Sequence, residues 1–248
     1  MSNILDDIVG VTIRRVEDEK VEGRILSTFE QALSRKGIAV IAEVKKASPS
    51  KGVIVSDFDH LQIAEEYVAA GANAISVLTE PRYFMGSAAY LKDIASAVSI
   101  PVLRKDFIID PYQIYEAKFL GASAVLLIAS VLEEDDALKF FLDLTYSLGM
   151  SALVETHDEA EIKRAVKVGA KIIGVNNRNL NDFSVDLENS IRLRDHVPEN
   201  IIFVSESGIK TAEDVRKLEA AGVDAILVGE SIVKSPDKTA YLDTLLGR

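Results

Sequence analysis

The chain has 248 residues, of which 48% are hydrophobic and 27% are charged, as expected of one α/β domain. It contains no cysteine, which excludes a disulfide scaffold, a thiolate nucleophile and a cysteine-type zinc site and fits a reducing compartment, so we expect the cytoplasm. The net charge of −11 argues against nucleic acid as a partner, because nucleic-acid binding needs a basic face. An anionic substrate would be attracted by local lysines and backbone dipoles, since the field of the whole molecule opposes it.

The beginning of the chain predicts a helical extension. Its first residues, MSNILDD, are acidic without an apolar stretch, so we expect no secretory signal, and no run of about 18 apolar residues predicts a membrane span. Helix-like apolar spacing over 3–20 and a short helix at about 26–34 predict an extension, residues 1–36, ahead of a single domain. A lid or plug over one end of the domain and a mere ornament both fit this segment.

After residue 37, apolar runs alternate regularly with amphipathic helical segments. The runs are almost continuously apolar, which is typical of strands buried on both faces of a parallel sheet. The predicted strands are 38–44, 73–79, 101–105, 124–129, 151–155, 172–176, 201–206 and 225–229. The predicted helices are about 58–70, 87–98, 111–120, 133–148, 157–168, 187–196, 211–221 and 236–246.

The ends of these helices carry recognisable signals. Thr156 with Glu159 predicts a capping box, and Thr211 with Asp214 predicts a variant with the shorter acid. A glycine in left-handed conformation is expected after each of five helices. These glycines are Gly71, Gly121, Gly149, Gly169 and Gly222.

An internal repeat decides the expected architecture. A helix end, a glycine, a small residue and a buried strand recur at 69–78, 119–128, 167–176 and 220–229. The repeat of roughly 50 residues is about two βα units, so four copies predict eight parallel strands and a closed (β/α)8 TIM barrel. An open doubly wound sheet is the alternative, but its G-x-G-x-x-G fingerprint after the first strand is absent from the sequence.

Charged side chains end the odd-numbered strands of the predicted barrel. They are Glu43 and Lys45 on strand 1, Lys105 on strand 3, Glu155 on strand 5 and Glu206 on strand 7. Alternate strands contribute side chains to one interior layer, so we expect these groups to meet at the carboxyl-terminal mouth. A structural ion pair would explain one such strand end, whereas several on one layer indicate a catalytic site. Strand 6 adds Asn176, with Arg178 just beyond.

The loops after strands 7 and 8 predict a phosphate site. They contain Ser207-Gly208 and Gly229-Glu230, where glycine lets backbone N–H groups approach an anion. Ser48 in the first loop could add a hydroxyl. Two tight turns without a ligand are the alternative. The Glu230 side chain should point away from the anion, since both are negative.

Apolar residues near the strand ends could line a flat aromatic pocket. They are Phe84, Phe107, Leu126, Leu180 and Phe183. The histidines, His60, His157 and His196, fall in or at the start of helical segments and are interpreted as surface residues. No metal-ligand spacing occurs, so no metal is predicted.

Six segments, taken together, closely resemble the indole-3-glycerol phosphate synthase family of tryptophan biosynthesis. They are IAEVKKASPSKG, LRKDFIIDPYQIYEA, LVETHDE, IGVNNRNL, VSESGI and LVGESI, in this order. The resemblance covers essentially the whole chain, including the helical extension, and the chain looks like the monofunctional form. It implies a small anionic substrate, 1-(2-carboxyphenylamino)-1-deoxyribulose 5-phosphate, whose ring closure releases carbon dioxide and water. No redox step occurs, so no cofactor is required.

The resemblance also implies roles for the residues at the strand ends. Lys105 matches the general acid, and Lys45 matches the lysine that holds the ring carboxylate. Glu43 would orient Lys105 and pair with its charge, and Glu155 matches the general base of the later dehydration. The remaining matches are binding or polar-network positions, Asn176, Arg178 and Glu206, and the phosphate cradle, Ser48, Ser207, Gly208, Gly229 and the backbone of Glu230.

Two other interpretations remain open at this point. One is another phosphate-binding barrel enzyme, such as a sugar-phosphate isomerase, which typically needs an Asp/Cys or Asp/Asp pair where this chain has Lys and Glu. The other is a barrel retained for binding or regulation, although that would be expected to have lost some of the charged set.

We expect a monomer or weak homodimer.

Overall fold

The computed structural model describes residues 28–179 and 183–248 and places eight parallel strands in a closed barrel. The strands are β1 Ala39–Val44, β2 Ala74–Leu78, β3 Val102–Lys105, β4 Ala124–Ile128, β5 Ser151–Thr156, β6 Ile172–Asn176, β7 Ile202–Glu206 and β8 Ala225–Val228. Each strand pairs with its neighbours in sequence, and β8 closes the barrel against β1 with Ala225 opposite Ala39. The predicted (β/α)8 barrel is confirmed, and the open sheet is excluded.

One helix precedes the first strand, and the other helices of the described ranges follow the strands around the outside of the barrel. They are α1 Thr28–Leu33, α2 His60–Ala69, α3 Ala88–Ala97, α4 Pro111–Phe119, α5 Asp135–Ser147, α6 Glu159–Val168, α7 Glu188–Leu193, α8 Ala212–Ala220, α9 Glu230–Lys234 and α10 Lys238–Leu246. The helix predicted at 187–196 is shorter, because α7 ends at Leu193 and Arg194–His196 form a 3-10 turn. Of the helices in the described ranges, none has the length and apolar character needed to cross a bilayer.

Most predicted helix ends are confirmed. Thr211 and Asp214 form a reciprocal capping box at the start of α8. The five glycines predicted to follow helices all have φ between 71° and 90°, the left-handed region that glycine adopts without a steric penalty.

The capping box predicted for Thr156 and Glu159 is wrong. Thr156 is still part of β5, and its Oγ1 donates to the carbonyl oxygen of Gly174 at 2.8 Å inside the barrel wall. Asp158 caps α6 instead, because its side chain accepts from the backbone N–H of Glu161. The strand therefore extends one residue further than predicted, and the cap moves two residues along the chain.

Helix α1 plugs the amino-terminal end of the barrel. Its Phe29 and Leu33 are fully buried in the cluster of inward-facing strand residues. That cluster includes Ile41, Leu103, Leu153, Ile172 and Val204. The helix predicted at 26–34 is thus confirmed over Thr28–Leu33, whereas the helix predicted at 3–20 lies outside the described residues. The division into an extension, residues 1–36, and one barrel domain stays a prediction.

A small hairpin orders the loop after β1. Ala47–Ser48 pairs antiparallel with Gly52–Val53, a feature that the sequence analysis did not predict. The backbone N–H of Ala47 also donates to the carbonyl oxygen of Phe84 at 3.2 Å, which ties this loop to the one after β2. Both loops therefore have defined positions at the carboxyl end of the barrel.

Candidate active site

A cavity of about 790 Å³ opens at the carboxyl ends of the strands. Its volume is in the range of about 300–1,000 Å³ that is usual for small-molecule sites. The predicted site residues that line it are Glu43, Lys45, Ser48, Phe84, Lys105, Phe107, Leu126, Glu155, Asn176, Arg178, Glu206, Ser207, Gly208, Gly229 and Glu230. Phe183, also predicted, lines the cavity as well, and Leu180 lies outside the described residues. The fold therefore brings these side chains together around one cavity, as expected from their positions at the strand ends.

Lys105 stands at the centre of a buried cluster of charges. Its Nζ lies 3.1 Å from Oε2 of Glu155 and 3.0 Å from Oε2 of Glu206. Burial alone would lower the pKa of Lys105, but the nearby carboxylates of Glu206, Glu155 and Glu43 outweigh it and raise the pKa above its ordinary value. The structure therefore presents Lys105 as a fixed cation at the cavity wall.

Glu43 and Lys45 form a second ion pair in the cavity. The Lys45 ammonium donates to the Glu43 carboxylate, which agrees with their placement two residues apart on the same face of the chain. The expected pairing of Glu43 with Lys105 is wrong, because Lys105 contacts the carboxylates of Glu155 and Glu206. Glu43 still acts on Lys105 through its charge, without a direct contact.

Glu206 is a carboxylate whose environment resists ionisation. The residue is 1% exposed. Burial raises the pKa of Glu206, Lys105 opposes that rise, and the charges of Glu155 and Glu43 add to it, which brings the pKa to about 7. Its Oε1 has no hydrogen-bond partner among the residues described. Glu206 can therefore exchange a proton near neutral pH.

Two glycines make room for the carboxylates. At Gly174 in β6, a Cβ would lie 2.3 Å from Oε1 of Glu206. At Gly229, just after β8, a Cβ would lie 2.2 Å from Oε2 of Glu43 and 3.0 Å from Nζ of Lys45. Gly229, predicted as part of a phosphate loop, therefore also leaves the space that the ion pair of Glu43 and Lys45 occupies. Gly174 is a site residue that was not predicted from the sequence.

The two carboxylate oxygens of Glu155 contact different partners. Oε2 contacts Lys105, whereas Oε1 accepts from Nδ2 of Asn176 at 3.3 Å and lies 3.6 Å from Nε2 of His157. Burial raises the pKa of Glu155, but the charges of Lys105 and His157 outweigh it and hold the pKa below its ordinary value. Glu155 is therefore an ionised base at neutral pH.

The prediction that all three histidines lie at the surface is wrong for two of them. The side chain of His157 is only 22% exposed and lies between Glu155 and Glu161. It turns inward because it follows β5 directly, before α6 begins. His60 is also half-buried but does not line the cavity, and His196 is exposed as predicted.

The loop after β7 has the backbone form of an anion site. Ser207 and Gly208 have φ of 68° and 85°, and successive left-handed residues can turn N–H groups toward one point. Such a φ is uncommon for serine. Asn177 holds the loop, since its Nδ2 donates to the Ser207 carbonyl oxygen at 3.1 Å and to Ser205 Oγ at 3.0 Å. Ser48 Oγ lines the same cavity, buried and without a hydrogen-bond partner in the described ranges.

Cations flank this loop at the rim of the cavity. Lys51, Lys210 and Lys234 all line it. The Glu230 carboxylate accepts from Lys234 at 2.7 Å, so its negative charge is neutralised locally. Its orientation away from a bound anion stays a prediction. These cations give the cavity a local positive rim on a chain whose net charge is −11.

The opposite wall of the cavity is aromatic. The rings of Phe84 and Phe107 lie 6.3 Å apart between centroids, and Leu126 lines the cavity with them. Asp106 fixes the loop after β3, because it accepts from the Phe107 backbone N–H at 2.8 Å and pairs with Arg104 at 3.2 Å. A flat ring could therefore bind against these apolar side chains.

Three important residues were not predicted, for different reasons. Gly174 interrupts an otherwise apolar strand, and that signal could have indicated a close approach by another group. Asn177 directly follows Asn176 after β6, but spacing alone does not show which of the two faces the cavity. His157 gives no signal in its spacing, because its position depends on the exact end of β5.

Within residues 28–179 and 183–248, no three His, Asp or Glu side chains are grouped as metal ligands would be.

The sequence profile described as indole-3-glycerol phosphate synthase matches residues 11–245. The chain belongs to this family. An indole-3-glycerol phosphate synthase from Ruminiclostridium cellulolyticum is 51% identical over 258 residues, which cover 98% of this chain and 99% of the relative. One from Endomicrobium trichonymphae is 54% identical over 246 residues, which cover 94% and 95% of the two chains.

A solved structure outside the family shows the same fold. The 3-hexulose-6-phosphate synthase from Salmonella typhimurium has a TM-score of 0.66 at 14% sequence identity. The match covers 82% of this chain and 94% of that one. At this identity the likeness supports the barrel alone, and the indole-3-glycerol phosphate synthase family is shown by the sequence comparisons.

Proposed function

We propose that this chain closes the indole ring of 1-(2-carboxyphenylamino)-1-deoxyribulose 5-phosphate, giving indole-3-glycerol phosphate, carbon dioxide and water. The activity is that of the family to which the chain belongs. The observation that carries the proposed mechanism is the buried Lys105 cation, held at the cavity wall between Glu155 and Glu206.

The first step needs a positive group where negative charge develops. The ring carbon that carries the carboxylate attacks the ketone carbon, and the ketone oxygen becomes an alkoxide. Lys105 stabilises that oxygen and donates its proton as the general acid, for which a preorganised donor contributes roughly a hundred- to thousandfold. Lys45 binds the ring carboxylate until it leaves as carbon dioxide, and Glu43 holds Lys45 in place.

The second step removes water. The hydroxyl formed from the ketone leaves as water, and a proton is taken from the neighbouring carbon, so that a carbon–carbon double bond forms and the five-membered ring becomes aromatic. Glu155 is the base, because its ionised carboxylate lines the cavity and its Oε1 is oriented by Asn176. Glu206 belongs to the same polar network and holds Lys105 from the other side.

The substrate spans the cavity from its basic rim to its aromatic wall. The phosphate binds at the loops after β7 and β8, where left-handed backbone and nearby lysines favour an anion. Arg178 assists binding, and the aromatic ring lies against the apolar wall. The residues proposed for phosphate binding are Ser48, Ser207, Gly208, Gly229 and the backbone of Glu230, and those for the ring are Phe84, Phe107, Leu126 and Leu180.

The reaction has no redox step, so we propose that no cofactor takes part. We propose the cytoplasm as the site of the reaction, where the substrate of a biosynthetic enzyme would be found. We propose a monomer or weak homodimer.

The experiment is a fluorescence assay of indole formation with the anthranilate-derived substrate. Lys105→Met should lose at least about a hundredfold in kcat while its circular dichroism spectrum is unchanged. Lys163→Met is the matched control, because Lys163 is 68% exposed on α6 and pairs with Glu159 at the surface. Near-normal turnover of Lys105→Met would remove Lys105 from the acid role, and no product from the wild-type chain would refute the proposed activity.

A further inference from the structure

His157 contacts the catalytic network from behind without lining the cavity. Its Nε2 lies 3.6 Å from Oε1 of Glu155, and its Nδ1 lies 3.1 Å from Oε2 of Glu161. The backbone N–H of His157 also donates to Glu161 at 2.8 Å, and its carbonyl oxygen accepts from Asn189 at 3.2 Å. The ring therefore lies between β5 and α6, and α7 holds the His157 backbone.

The two nitrogens of this ring face two carboxylates. A neutral imidazole has one N–H and one lone pair, so it could donate to only one of them. If Glu161 took the N–H at Nδ1, the lone pair of Nε2 would point toward Glu155. That Nε2 is buried and has no hydrogen-bond partner among the described residues. The imidazolium carries an N–H on each side: the one at Nδ1 donates to Glu161, and the one at Nε2 faces Glu155 across 3.6 Å as an ion pair without a hydrogen bond.

The charges around the ring favour the same state. Glu161 on α6, Glu155 on β5 and Glu206 on β7 act on it as carboxylates, and Lys105 pairs with the far oxygen of Glu155. The hydrogen bond to Glu161 raises the pKa of His157, burial opposes the rise, and the charges of Glu155 and Glu206 add to it. The three acidic groups thus outweigh burial.

We propose that His157 is a positioning residue which, as an imidazolium held by Glu161, fixes the Glu155 carboxylate and keeps it ionised for the proton-abstraction step. This role rests on the proposed function, because it assigns Glu155 as the base. By linkage, the imidazolium must weaken proton binding at Glu155 by the same factor by which the carboxylate strengthens proton binding at His157. The coupling can therefore be measured from either group.

The pH dependence of kcat/KM measures it from the side of Glu155. In His157→Asn the acidic limb should move to higher pH by about one unit or more, the usual effect of an opposite charge at this distance. The kcat should fall while KM stays close to the wild-type value, since the ring does not touch the cavity. Glu161→Gln should move the limb in the same direction by less. His196→Asn is the control, because His196 lies 3.6 Å from Glu159 at an exposed site and should leave the limb unmoved.

Nitrogen-15 NMR of the three histidines measures the coupling from the side of His157, without any turnover. His157, assigned by comparison with His157→Asn, should titrate above the ordinary pKa of 6.5 and fall by about one unit in Glu155→Gln. A His157 titration unaffected by Glu155→Gln, or an acidic limb unmoved in His157→Asn, would overturn the inference. If the wild-type chain forms no indole product, the proposed function fails, and the NMR titration still decides the coupling.

Discussion

Replacing Glu206 by glutamine is expected to stabilise the protein above neutral pH and to lower its activity. The pKa of Glu206 is about 7 in the folded protein, against an ordinary value of 4.5. Because the folded protein binds this proton more tightly than the unfolded chain, the stability that Glu206 contributes is fully present below about pH 4.5 and is lost as the pH rises through about 7. The loss amounts to about 3 kcal/mol at pH 8. Glutamine stays neutral and can still accept a hydrogen bond from Lys105.

Urea unfolding followed by circular dichroism at pH 5 and pH 8 measures this effect. The Glu206→Gln variant should exceed the wild type by less than about 1 kcal/mol at pH 5 and by about 3 kcal/mol at pH 8. Indole formation should fall, because Lys105 loses one of its two carboxylate partners. Glu213→Gln on α8 is the control, since its carboxylate is exposed and pairs only with Lys217 among the residues described, so little change is expected at either pH. A stability difference of the same size at both pH values would refute the reasoning.

Two further substitutions test the support behind the site. Gly174→Ala places a Cβ 2.3 Å from Oε1 of Glu206, so it should displace that carboxylate. The free energy of unfolding in urea should fall by about 1–3 kcal/mol, and kcat should fall as well. A wild-type kcat would contradict the need for a glycine there. Asn177→Ala removes the donor to the Ser207 carbonyl oxygen and should cost about 1–3 kcal/mol. It should also raise KM more than it lowers kcat. A KM equal to that of the wild type would contradict the role of Asn177 in holding the phosphate loop.

The barrel could be predicted from the sequence because its strands are buried on both faces. A run such as 172–176 is apolar at nearly every position, and β6 occupies that range in the structure. The same geometry explains why the meeting of Lys105 with Glu155 and Glu206 could be predicted. Side chains alternate along a strand and share interior layers across alternate strands, so the sequence positions of strand ends determine which groups meet.

The partners within the site could not be predicted from the sequence. Whether Glu43 contacts Lys45 or Lys105 depends on side-chain rotamers within a volume that several strands share. Gly174 matters only because the Glu206 carboxylate occupies the space beside it, and that is a property of two strands together. The position of His157 depends on β5 extending through Thr156, a shift of a single residue from the predicted end.

The central claim is that Lys105 and Glu155 act in separate steps, and a single-turnover experiment with carboxyl-labelled substrate tests it most directly. Carbon dioxide release reports ring attack and decarboxylation, whereas indole fluorescence reports the later dehydration. We predict that Glu155→Gln releases carbon dioxide faster than it forms indole, and that Lys105→Met is slow in both. Carbon dioxide release at the wild-type rate in Lys105→Met, or an equal loss of both signals in Glu155→Gln, would contradict the account.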